Sequence, residues 1–303
     1  MDWPSLPYAD WADTCETLHM WTQIVGKIRL TKTPLINHWW NVALYVTPSG
    51  LGTSMIPNDG RPFDISFDFL AHRLVIVSAN GSHREIALAP MTVADFYERV
   101  MRALGELKID VRINTQPQEV ANPIAFEDDR SHKSYDPRAA QRFWRALVSS
   151  CEVFTEFRSR FIGKDSPVHF FWGSFDLAVT RFSGRPAPKR APIPGVSYAM
   201  ILEAYSHECS SVGFWPGGNG FDAAFYSYTY PEPEGFSTAR VKPDAAVWND
   251  TLREFLLPYE AVRTAADPPA MLMDFCQSTY EAGANLAKWP RADLERGGKA
   301  NVA

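Results

Sequence analysis

Two stretches of this chain carry the side chains best able to do chemistry. From 158 to 185 it reads R-S-R-F-I-G-K-D-S-P-V-H-F-F-W-G-S-F-D-L-A-V-T-R-F-S-G-R, where His169, Asp176 and Arg181 interrupt aromatic and aliphatic residues. Polar groups in a segment that otherwise reads as core need partners or a ligand. The second stretch, A-Y-S-H-E-C-S-S-V-G-F-W-P-G-G-N-G from 204 to 220, places His207 beside Glu208. Imidazole titrates nearest neutrality, so His207 is the candidate general base or acid, with His169 beside it in the catalytic set. Glu208 and Asp176 are candidates to orient it, or to donate a proton where burial raises a carboxyl pKa. Arg181 and Arg160 are candidate holders of a carboxylate or developing oxyanion. Trp172, Tyr205, Trp215 and Tyr226 are the candidate walls of a pocket, and Asn37 and His38 the candidate cleft residues.

The competing reading is structural: a buried Asp-Arg-His hydrogen-bond network that ties sheets together. If 169 to 181 is one regular strand, parity puts His169 and Arg181 on one face and Asp176 on the other, unless a bulge intervenes. His169, His207, Glu208 and His38 lack metal-site spacing, so no metal and no cofactor is expected. The glycines of W-P-G-G-N-G lack the Lys-Ser/Thr and the strand-to-helix context of a phosphate loop. A G-x-S-x-G elbow is absent as well.

Composition narrows the class. The 303 residues are 46% hydrophobic and 21% charged, which is globular, and a net charge of −5 argues against nucleic acid or an anionic membrane as partner. Cys15, Cys151, Cys209 and Cys276 fall in buried-looking segments without C-x-x-C spacing and read as reduced core thiols. With no apolar run of spanning length and no signal-like start, the expectation is a cytoplasmic protein without a membrane partner. Aromatic residues make up 13% of the chain, enough for a large core or for a pocket that takes a flat or sugar-like ligand.

Positioning those residues requires two similar halves. In the first, 1–116, apolar spacing of three and four predicts an amphipathic helix over 11–30 that Pro34 ends. Period-two patterning predicts strands near 36–47, 51–56, 63–69, 74–78 and 85–88, then a helix over 93–107 capped at Thr92, and a short strand at 111–114. Residues 117–135 read as an acidic connector. The second half, 136–303, opens with a helix from Pro137 to about Phe161, N-capped by Asp136. The candidate strand follows, then a Pro-rich loop over 184–195 that serves as linker or lid, a meander through 204–235, and helices near 246–257, 258–264 and 269–288. Glu260 and Arg263 read as a local ion pair.

An offset of 133 aligns Pro34 with Pro167, Trp39 with Trp172, Leu44 with Leu177, Val46 with Val179 and Thr47 with Thr180. Five identities in fourteen positions compare with about one expected from composition. This suggests an internal duplication of helix, antiparallel sheet and helix, with a site between the halves. The fold class read from the sequence is therefore α+β, two halves each with an antiparallel sheet flanked by helices.

Several segments carry a resemblance: L-H-M-W-T-Q-I-V-G-K-I-R-L (18–30), N-H-W-W-N-V (37–42), 160–185, Y-S-H-E-C-S-S-V-G-F-W-P-G-G (205–218) and E-F-L-L-P-Y-E-A-V-R (254–263). Through them the chain resembles a bacterial family of uncharacterised proteins of about this whole length. That resemblance implies no reaction and no catalytic roles. From the residues themselves, the first functional expectation is a metal-free acid-base enzyme of hydrolase or lyase type acting on a small organic molecule. The alternatives are a non-catalytic small-ligand binding or sensing protein with an aromatic pocket, and an interaction scaffold.

Overall fold

The computed structural model describes residues 2–193, 195–218 and 220–297. It opens with helix α1, Ala12–Lys32, which is buried along every residue from Met20 to Arg29. The expected one-sided amphipathic helix is thus corrected, because both halves of the chain pack around it. Gly26 is what permits this, since a Cβ there would fall inside the indole of Trp172 from the second half.

The first sheet is an antiparallel meander of β1 (Tyr45–Thr47), β2 (Gly50–Gly52), β3 (Phe63–Asp68), β4 (Arg73–Ser78) and β5 (His83–Ala87). Phe63, Ile65 and Phe67 face the core while Asp64, Ser66 and Asp68 face outward, as period two requires. Helix α2 (Val93–Glu106) follows, with the Thr92 hydroxyl accepting the Asp95 amide at 3.1 Å. Two expected strands are corrected. Residues 111–114 form none, and most of 36–47 is instead a 3-10 turn, Asn37–Val42, in which His38 (φ 57°) and Trp39 (φ 62°) are left-handed.

The second half begins with α3 (Pro137–Ser159), capped by Asp136, which accepts the Arg138 amide at 2.8 Å. Then come β6 (His169–Phe171), β7 (Asp176–Pro186), α4 (Tyr198–Ala204), β8 (His207–Gly218), β9 (Phe221–Tyr230), β10 (Val247–Asn249) and β11 (Glu254–Pro258). The six strands form one antiparallel sheet in the order β10-β11-β9-β8-β7-β6. The chain closes with α5 (Tyr259–Arg263), α6 (Pro268–Leu286) and α7 (Arg291–Leu294), and Arg263 meets Glu260 at 2.9 Å as expected. The helix expected over 246–257 is the β10-β11 hairpin. Phe255 and Leu257 are buried on one face while Leu256 points to the other, a strand alternation too short to read against the local helix pattern.

The α+β class stands, but the duplication is not confirmed. Asn37–Val42 is a 3-10 turn, whereas residues 170–175 at the proposed offset are a strand end and a tight turn. The two sheets do meet at that place, where Leu44 and Phe170 exchange backbone hydrogen bonds at 2.8 Å. Among the described residues no helix is long and apolar enough to cross a membrane, and all four cysteines are free thiols.

Candidate functional site

Both faces of the six-stranded sheet are covered, and the two differ in chemistry. Directly opposed residues of antiparallel strands share a face. Leu177, Val179, Val212, Phe214, Phe225 and Leu257 are buried on the face towards α3 and α6. The other face presents Asp176 and Thr180 from β7, Ser211 from β8, Tyr226 and Tyr228 from β9 and Glu254 from β11. These floor a cavity of about 530 Å³, within the range of small-molecule sites. Its roof is Trp39 and Trp40 of the 3-10 turn, Ile193 of the Pro-rich loop, Val196 just after it, and Met200 and Ile201 of α4.

Three carboxyl groups converge on this space. Asp176 accepts hydrogen bonds from the Ser174 and Tyr226 hydroxyls, and burial raises its pKa against those two bonds. Tyr226 reaches it only by lying across β8 at Gly213, where a Cβ would occupy the space of the phenol ring. Glu254 is pushed up to about 7, first by burial and then by the charge of Asp176, with Arg190 acting in the opposite direction. Glu119 is also raised to about 7, by burial and then by Asp176. Glu119 as a residue is nonetheless exposed to water, which screens this shift more than the one at the half-buried Glu254.

The connector that carries Glu119 is held from two sides. In α1, the Gln23 amide binds both backbone groups of Gln118, accepting its N–H and donating to its C=O, each at 2.8 Å. Glu119 itself is left-handed (φ 57°), a conformation that costs a non-glycine residue about 1–3 kcal/mol and clusters at functional sites. Its carboxylate sits where a Cβ on residue 173 would be, so Gly173 leaves room for it in this position. His19 of α1 fixes that glycine in turn, contacting the Gly173 carbonyl at 2.8 Å.

At the roof, His38 contacts the Ala204 carbonyl through Nδ1 at 3.1 Å and takes a hydrogen bond from Lys164 Nζ on Nε2 at 2.7 Å. Burial and Lys164 both lower its pKa, while the Ala204 carbonyl pulls the other way. The neutral ring therefore ties the end of α4 to the body of the protein. A chain of phenols lines one wall: Tyr205 and Tyr228 hydroxyls are 3.1 Å apart, and Tyr228 stacks on Tyr226.

The predicted site residues divide accordingly. Asp176, Tyr205, Trp215, Tyr226 and His38 line the cavity. Asn37 is exposed beside it. His207 starts β8 outside the cavity, with Nδ1 3.0 Å from the Ser206 hydroxyl and its ring edge against His38. Glu208 is engaged by Arg185 at 2.6 Å and by Ser183 at 2.9 Å, and Arg160 by Glu156 at 2.6 Å. Trp172 is core, donating to the Val42 carbonyl at 2.8 Å. Arg181 is buried on the opposite face, donating to the Phe157 carbonyl and packed over the rings of Phe157 and Tyr280. His169 is fully buried under Trp40 and Tyr45, and burial drives its pKa down to about 3.

The strand faces differ from those expected of one regular strand. The tight turn at 172–175, with Phe175 left-handed (φ 59°), splits the stretch into β6 and β7. His169 then opposes Ala178 and Phe171 opposes Asp176, which puts His169 and Asp176 on one face and Arg181 on the other. Tyr205 ends α4 and is not in strand register with His207. Two functional candidates escaped the sequence altogether. Glu119 lies in a connector without periodicity, and Glu254 in a segment read as helix.

Fold and cavity together define an α+β protein with an aromatic, acid-ended cavity on the covered face of its larger sheet. The chain belongs to the DUF5996 family, a family of unknown function, which it matches over residues 3–296. That match bears out the resemblance over nearly the whole chain. No curated protein and no solved structure matches it.

Proposed function

We propose that this protein is a cytoplasmic enzyme that binds a small organic molecule in the cavity and works on it by acid-base chemistry of carboxyl groups. The observation that carries this reading is the pair Glu119 and Glu254, both raised to about 7 and both facing the same aromatic space beside Asp176. A general acid or base works best when its pKa lies near the operating pH. The catalytic roles expected of His207, Glu208 and His169 pass to Glu119 and Glu254, with Asp176 and Tyr226 positioning the charge. Hydrolytic or lyase chemistry fits such a pair. Covalent catalysis through Cys209 does not, because burial pushes that thiol up to about 12.

Binding without turnover is the second reading, supported by the aromatic walls and the well-tied roof. A panel of esters, amides, glycosides and hydroxy acids, assayed with the wild type and with Glu119→Gln and Glu254→Gln, separates the two. An enzyme shows turnover that falls by about 10²-fold or more in at least one of the variants while the fold is kept. Turnover retained in both variants would defeat the carboxyl assignment. Saturable cavity binding without turnover in any protein would favour the sensing role.

A further inference from the structure

The composition of the cavity wall carries a statement about what enters it. Its polar end holds Glu119, Asp176 and Glu254, and its sides are the rings of Trp39, Trp40, Phe171, Phe182, Trp215 and Phe221. Among the described residues, no Lys, Arg, Asn or Gln side chain lines it. Two cations lie close by: Lys164 donates to His38, and the Arg190 guanidinium lies 3.9 Å over the ring of Tyr205, with its Nη1 unpartnered. The one lining imidazole, His38, has both nitrogens engaged. An anionic ligand would therefore meet three carboxyl groups, with the charge of Arg190 reaching only Glu254 among them. A sugar would meet almost no planar amide or guanidinium donors for its hydroxyls.

A cation with an apolar body meets the opposite situation. Aromatic faces attract it through their quadrupole, and carboxylates pair with it in a low-polarity setting. Neither Glu119 nor Glu254 has a hydrogen-bond or salt-bridge partner for its carboxyl group among the described residues, which leaves both available to a ligand. Resting on the reading of the cavity as a small-molecule site, we infer that its ligand is an organic cation, an ammonium or amidinium group on an apolar or aromatic body. The cationic group lies between Glu119, Asp176 and Glu254, and the body lies against the tryptophan and phenylalanine rings.

Binding of such a ligand carries a proton signature. Each of the glutamates holds a proton for part of the time near neutral pH, and an incoming cation drives it off. The groups facing them are Asp176 and the Tyr226 phenol on the sheet and Arg190 from the Pro-rich loop, and Arg190 opposes the shift at Glu254 alone. Cation binding at pH 7 should thus release protons, and affinity should rise with pH through about 7.

The experiment is calorimetric titration at pH 7 of the full-length protein with 2-phenylethylamine, benzyltrimethylammonium, the neutral 2-phenylethanol and phenylacetate, in buffers of different ionisation heat. The expected result is that both cations bind at least about tenfold more tightly than the alcohol, with proton release, and that phenylacetate does not bind. Glu254→Gln, close in shape to the native residue, should cut cation affinity by about tenfold and leave the alcohol unaffected. If the alcohol or phenylacetate binds as well as the cations, or if the cations bind with proton uptake, the inference is overturned while the small-molecule site stands. If no probe binds, and an NMR fragment screen likewise places nothing at Tyr226 and Trp215, both the inference and the site fall.

Discussion

The two sheets of this protein are built from the same kinds of residue and differ in what covers them. In the five-stranded sheet one face packs inward with Phe63, Ile65, Phe67, Leu74 and Ile76, and the alternating positions turn outward, where Asp64, Ser66 and Asp68 meet water. The six-stranded sheet is covered on both faces. One face is closed by α3 and α6 at contact distance, with Gly283 of α6 lying where a Cβ would strike Thr229. The other is held away from its roof and encloses the cavity. Polar side chains on this last face cannot reach bulk solvent freely, and their carboxyl groups are shifted towards neutrality. A sheet with one wet face leaves its polar groups hydrated, whereas a sheet covered at a distance encloses a cavity.

Three perturbations test that contrast, in falling order of size. Truncating Phe67→Ala opens the dry core of the smaller sheet and should cost about 3–5 kcal/mol in urea denaturation. The cavity in the other sheet should remain intact, with cation affinity unchanged. Loss of binding along with stability would show that the two sheets are one mechanical unit. Gly213→Val should cost less, about 1–3 kcal/mol, through overpacking. Its main effect is on the site: the phenol of Tyr226 is displaced from β8, Asp176 loses that donor, and ligand binding is abolished. Unaltered binding in this variant would refute the role given to Tyr226.

The smallest effect is on pH dependence. Glu119 and Glu254 have folded pKa values near 7 against ordinary values of 4.5, so between those limits the folded chain binds more protons than the unfolded one. Their contribution is fully present below about 4.5 and is lost as pH rises through about 7, so this part of the stability falls with increasing pH. The double variant Glu119→Gln, Glu254→Gln should be flatter across that window and relatively more stable at pH 8. Denaturation midpoints measured from pH 4.5 to 8 decide the matter.

Much of the chain could be read from residue spacing. The helices at α1, α2, α3 and α6, the caps at Thr92 and Asp136, and the strands at β3, β4 and β5 follow from local periodicity and turn chemistry, which act within a few residues. The aromatic surplus pointed to a core or a pocket, and it serves both. What local pattern could not supply was the turn at 172–175, where Gly173 lies against Glu119 from a connector more than fifty positions earlier. Nor could it supply the identity of the acid groups. Sequence proximity favoured His207 with Glu208, yet Arg185 and Ser183 engage Glu208, and His207 does not line the cavity. Residue types and their periods determine which segments form helices and strands and how much apolar surface must be buried. Which polar side chains end up sharing a low-polarity space is decided only when distant segments, Gln23 with Gln118, Gly213 with Tyr226 and Gly173 with Glu119, come into contact. Desolvation and charge proximity are properties of that assembled space and have no counterpart along the chain.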